Sequence, residues 1–224
     1  MEKETRNLPH SDCEIRLITE DRMIEGYAIV FNKESRLLYN TFYEIILPDA
    51  LDGVIEKSDV LALLNHNVDR GVLARSTRGK GSLSLSVEAK GVKYSYTAPK
   101  TVLGDEVVEG IARGDIRTSS FAFNIPEGGD EWIKRGDHYV RTIKKIEALY
   151  DVSAVYHEAY EDTTVALRNL DKVKETVPED VQIVTDTKPV IEEPITEPIV
   201  DEKDETPQDF ETRYLKQLNN LFKL

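Results

Sequence analysis

Apolar and polar residues alternate with a period of two through much of the first 155 residues, and that period predicts strands. Residues 13–19 (CEIRLIT) and 23–31 (MIEGYAIVF) flank a polar turn and predict an opening hairpin. Gly26 within the second strand marks a bulge or a close backbone approach. Residues 42–47 (FYEIIL) form another strand, stopped by Pro48, after which a short helical stretch runs to about Asp59. Residues 60–64 (VLALL) are continuously apolar, as in an element buried on both sides. Residues 83–87 (LSLSV) and 92–97 (VKYSYT) alternate around Lys90-Gly91, a hairpin turn. In 101–113, Val107, Val108, Ile111 and Ala112 fall on one helical face, and Gly114 stops the helix. Residues 126–137 read as a Gly-rich charged loop anchored by Trp132, and 139–146 and 147–155 as strands. The fold class expected is mainly β with some α.

Outside these limits the pattern fails. Residues 1–12 are polar and read as a flexible leader. Residues 13–170 form the domain. Residues 171–205 carry Pro178, Pro189, Pro194, Pro198 and many acids, with no hydrophobic period, and read as a linker. In 206–224, Phe210, Tyr214, Leu218 and Leu221 recur at helical spacing behind Pro207, which predicts a short amphipathic helix. Alone in water such a helix is marginal, so its stripe needs a partner.

Charge narrows the function. With 42 acidic against 29 basic residues the net charge is -13, which disfavours binding to nucleic acid or to an anionic membrane. No apolar run is long enough to span a bilayer, and the N-terminal stretch lacks the apolar core of a signal peptide. The single Cys13 forms no internal disulfide, which fits a reducing compartment. No metal or cofactor is expected.

Candidate chemistry gathers at three places. In 114–125 (GDIRTSSFAFNI), Ser119, Phe121, Phe123 and Ile125 share an apolar strand face. Thr118, Ser120, Ala122 and Asn124 share a small polar face, read as an accessible cleft with Ser120 at its middle. His66 follows the buried run between two amides, Asn65 and Asn67. In 146–155 (IEALYDVSAV), Glu147, Leu149, Asp151 and Ser153 share a face; carboxylates are poor strand residues, so one of them is a candidate orienting group. A serine nucleophile needs a base, and the base needs a partner. The chain order is His66, Ser120, then Asp151 or Glu147. No GxSxG elbow is present, which argues against an α/β-hydrolase.

Over roughly residues 14–168 the chain resembles the prohead (capsid maturation) proteases of tailed bacteriophages. The resemblance lies in the order and spacing of EGYAIVFN, YEIILPDAL, LLNHN with GVLARS, the alternation through GVKYS, RGDIRTSSFAFN and DVSAVYHEAY. It implies an assemblin-like fold, a compact antiparallel β-barrel or sandwich with a few surrounding helices. It implies His66 and Ser120 as the catalytic pair and Asp151 as the third member, with Glu147 and His157 as competitors. The implied activity is a serine endopeptidase acting on major capsid protein and scaffold segments inside the assembling prohead, in the host cytoplasm, and on itself. A second copy of the chain is a further expected partner. The alternative on the same fold is a non-catalytic scaffolding protein for capsid assembly.

Overall fold

The computed structural model describes residues 3–18, 21–156, 164–176 and Pro178. The chain divides into one unit over Met1–Val181 and a second over Gln182–Leu224, the latter outside the described residues. The amphipathic stretch 206–224 and most of the linker 171–205 therefore lie outside them as well.

The N-terminal part builds β1 (Glu4–Asn7), α1 (His10–Cys13), β2 (Arg16–Ile18), β3 (Met23–Val30) and β4 (Phe42–Ile46). After a 3-10 turn at Pro48–Leu51 come β5 (Asp59–Leu64), β6 (Ala74–Thr77), β7 (Lys80–Gly81), β8 (Ser84–Val87) and β9 (Gly91–Thr97). Then follow α2 (Val102–Arg113), β10 (Thr118–Asn124), β11 (Asp130–Arg135), β12 (His138–Ile143), β13 (Ala148–Val155) and α3 (Thr164–Val173). The Thr101 hydroxyl accepts from the Gly104 N–H at 3.2 Å to start α2, and Gly114, at φ 79°, ends it.

Among the described residues three sheets result, in the orders β1-β10-β13-β5-β6-β7, β2-β3-β9-β8 and β11-β12-β4. None closes into a barrel, which corrects that expectation. Pairing is mainly antiparallel, but β13 runs parallel to β5, and β12 parallel to β4. Parallel pairs need long connections, and here about half the domain lies between the partners. Such distant pairing leaves no mark in local alternation.

The main core fills the space around β3, β5, β9, β10 and β13, with Ile24, Ile29, Leu64, Phe121, Phe123 and Val152 at its centre. A Cβ on Gly26 would meet the Cys13 carbonyl and the Tyr94 hydroxyl at 3.0 Å, so this glycine is a close approach. The bulge of β3 falls further on, between Tyr27 and Ile29. A smaller cluster joins Phe42, Trp132, Ala166 and Leu170, bringing α3 onto the three-stranded sheet. α3 reaches Val173, past residue 171 where the linker was expected to begin.

Within the stretch 1–12 expected as a flexible leader, β1 and most of α1 form. Glu4 and Arg6 of β1 are buried and meet Glu44 of β4 and Arg141 of β12. Arg6 Nε donates to Glu44 Oε1 at 2.7 Å, Arg6 Nη2 to Glu4 Oε2 at 2.7 Å, and Arg141 Nη1 to Glu4 Oε2 at 2.7 Å. Arg141 also reaches Asp130 of β11 at 2.7 Å. The inward side chains of β1 are charged pairs, so no hydrophobic alternation announces it. β11, expected as loop, is a strand because Gly136, at φ 61°, turns it back along β12.

Candidate active site

β5 ends at Leu64, and the chain then makes a tight turn. The Asn67 N–H donates to the Leu64 carbonyl at 3.1 Å, and the two residues between, Asn65 and His66, sit at φ 51° and 56°. Left-handed backbone at a non-glycine costs about 1–3 kcal/mol and persists only where the surroundings impose it. Here the Asn65 N–H donates to the Ala154 carbonyl at 3.0 Å, and Asn65 Oδ1 accepts from the Tyr156 N–H at 3.2 Å. Asn65, at the start of the turn, is thus fastened to β13 and to the residue that follows it.

On β10, alternation behaves as expected for its core face. Phe121 and Phe123 stack on each other in the core, and the Ser119 hydroxyl pairs with the Tyr94 hydroxyl at 2.7 Å. Burial pushes the Tyr94 phenol up, so it remains a neutral partner. Ser120 faces the other side, opposite Ser153 on β13 and Asn7 on β1. That side is not the open cleft expected, because Ser120 has 0% of its surface exposed.

β13 holds a bulge. Asp151 pairs with Ala122 and Leu149 with Phe123, which leaves Tyr150 as an extra residue. Leu149 and Val152 consequently pair with the two core phenylalanines, while Asp151 and Ser153 share the face of Ser120. The strict alternation that put Leu149 beside Asp151 is corrected by this one residue. Glu147 precedes β13 and accepts from the Asn124 side-chain amide, away from His66. His157 lies outside the described residues.

The structure brings Ser120, His66 and Asp151 together. His66 Nδ1 lies 2.5 Å from Asp151 Oδ1, and His66 Nε2 lies 2.5 Å from Ser120 Oγ. A carboxylate only accepts, so Nδ1 carries a proton, and a ring with no second proton presents the Nε2 lone pair to Ser120. The His66 side chain is 22% exposed and Asp151 1%. The Ser120 hydroxyl also lies 2.9 Å from the Arg6 carbonyl on β1, a second acceptor that competes with His66 Nε2 for its one proton.

Sequence reasoning named no role for Ser153 or Lys3. The Ser153 hydroxyl donates to Asp151 Oδ1 at 2.8 Å, and Lys3 Nζ donates to Asp151 Oδ2 at 2.7 Å. Burial pushes the Asp151 carboxyl up, but the bonds and charges of His66 and then Lys3 outweigh it, and the group is held below the ordinary carboxylate range. Ser153 was legible as a face-mate of Asp151; Lys3, in an unpatterned polar stretch, gave no signal. Cys13 is buried, its thiol pushed up by burial, and donates to the Arg117 carbonyl at 3.1 Å. Among the described residues no three His, Cys, Asp or Glu side chains are grouped to hold a metal ion. No helix among them is long and apolar enough to cross a membrane.

A buried carboxylate, an imidazole and a serine hydroxyl in hydrogen-bonded series is the arrangement used by serine hydrolases on many unrelated folds. The family model described as caudovirus prohead serine protease matches residues 11–176, and the chain belongs to that family. No curated protein and no solved structure matches the chain. β1 lies before the matched region.

Proposed function

We propose that the chain is a serine endopeptidase with Ser120 as nucleophile, His66 as general base and acid, and Asp151 as the orienting carboxylate. Ser120 Oγ bonds to the scissile carbonyl carbon while its proton passes to His66 Nε2. His66 then gives that proton to the leaving amine as the C–N bond breaks, and water hydrolyses the acyl-enzyme by the same route. Asp151 stabilises the imidazolium formed in each half. The observation that carries this reading is the unbroken series from Asp151 through His66 to Ser120, at 2.5 Å in both steps, in a member of a serine protease family.

The substrates are scaffold segments and the major capsid protein inside the assembling prohead, in the host cytoplasm, followed by the enzyme itself. The stretch 206–224 docks the enzyme within the shell and is released by cleavage in the linker. The test is labelling with a small fluorophosphonate, together with co-expression alongside the major capsid protein. The native chain and Ser119→Ala label and cleave. Ser120→Ala and His66→Gln lose activity by about 10³-fold or more. An unlabelled native chain that still co-assembles with capsid subunits overturns the assignment in favour of a scaffolding role.

A further inference from the structure

Beside the Ser120–His66–Asp151 series, on the same sheet face, lies a groove of about 430 Å³. His66 and Asp151 form one end of it, and the Asp59–Arg75 ion pair the other. Between them the lining is largely apolar: Leu61, Leu63, Val68, Val72 and the ring of Tyr150. The floor follows from strand register, since Leu61 pairs with Asp151 and Leu63 with Ser153 across β5 and β13.

Val68 is 54% and Val72 42% exposed. Single exposed valines need no explanation, but these two flank one groove that ends at the reacting groups. Their backbone is also held in place. Asn67 Oδ1 accepts from the Asp69 N–H at 2.9 Å, which caps the short 3-10 turn Val68–Arg70. Arg70 pairs with Glu106 of α2, and the Tyr156 hydroxyl donates to Glu106 at 2.6 Å. A wall fastened in this way is pre-organised and loses little freedom when a ligand covers it. Among the described residues, the two cations at the rim, Lys3 and Arg75, are each already paired with a carboxylate, so they offer no uncompensated charge to attract an acidic group.

We infer that this groove is a specificity subsite of the protease, filled by a branched aliphatic side chain (Leu, Ile or Val) of an extended substrate segment. The inference rests on the assignment of Ser120 as nucleophile. Strands in a sheet lie about 4.8 Å apart, so β5 is about 10 Å from β10, and an extended chain covers that in about three residues. The aliphatic residue therefore sits about two or three positions from the scissile bond, on one side of it, rather than at the bond itself. Neither Gly nor Asp covers Val68 and Val72 when placed there.

The experiment uses the full chain and an internally quenched peptide library varied over three residues on each side of the cleaved bond. The single variants Val68→Asp and Val72→Asp are run in parallel, and every sample is labelled with a fluorophosphonate too short to reach the groove. The native chain prefers Leu, Ile or Val over Gly or Asp at one position, two or three residues from the cleaved bond. The preference is about 10–200-fold in kcat/KM, the range for a hydrophobic pocket. Both variants still label, and each loses at least tenfold of that preference. A native chain that labels and cleaves with no aliphatic preference there overturns the subsite, as do variants that label and keep the preference unchanged. Failure of the native chain to label overturns the nucleophile instead, and the subsite with it.

Discussion

Asp151 divides its two oxygens between neighbours, one towards His66 and Ser153 and the other towards Lys3. Asp151→Asn leaves His66 without its orienting anion, and the expected loss in kcat is about 10³–10⁴-fold, measured on a peptide substrate beside an unchanged circular dichroism spectrum. Lys3 acts at one remove. Its side chain is 44% exposed, and such a pair is worth about 0–1 kcal/mol, so Lys3→Met costs about fivefold or less at neutral pH. The acid side of the profile moves more. Asp151 is held below the ordinary carboxylate range, so its contribution is present above that range and lost as pH falls through the lowered value. Without Lys3 that loss begins at higher pH, and Lys3→Arg restores it. A pH–rate profile that is the same for Lys3→Met and the native chain removes Lys3 from the site.

At the scale of elements, what the sequence shows depends on what the inward side chains are. β3, β4, β9 and β10 bury apolar residues and are legible. β1 buries Glu4 and Arg6 and is not. Ser120 and His66 stood out because one lies on the small face of a strand with an apolar back and the other ends an apolar run. Asp151 was legible as a carboxylate out of place on a strand, but the bulge at Tyr150 that turns Leu149 away from it leaves no local signature. A Cβ on Gly26 of β3 would press on the Tyr94 hydroxyl, which pairs with Ser119 next to Ser120. Gly26→Ala is expected to cost about 1–3 kcal/mol, as overpacking does, read as a lowered urea midpoint. An unchanged midpoint would show that β3 and Tyr94 give way freely.

For the whole molecule, the buried charges of Glu4, Arg6, Glu44 and Arg141 join the sheet that carries the site to the three-stranded sheet. Arg141→Met leaves Glu4 and Glu44 buried with Arg6 alone to pair both, and the cost is about 3–5 kcal/mol in an unfolding titration. Burial pushes the Glu4 carboxyl up, yet Arg141 and Arg6 hold it below the ordinary range. Its stabilisation is thus complete above about pH 4.3 and lost as pH falls through the lowered value. Native chain and Arg141→Met should consequently converge in stability as the medium is acidified. The same junction sets a timetable. Ribosomes make β1 first, but Lys3 waits for an Asp151 that lies 148 residues further on, and Arg6 for a Ser120 that lies 114 further on. At about 5–20 residues per second that delay is about 7–30 s. The series from Asp151 through His66 to Ser120, with its supports from β1, is therefore complete only once almost the entire domain has been translated.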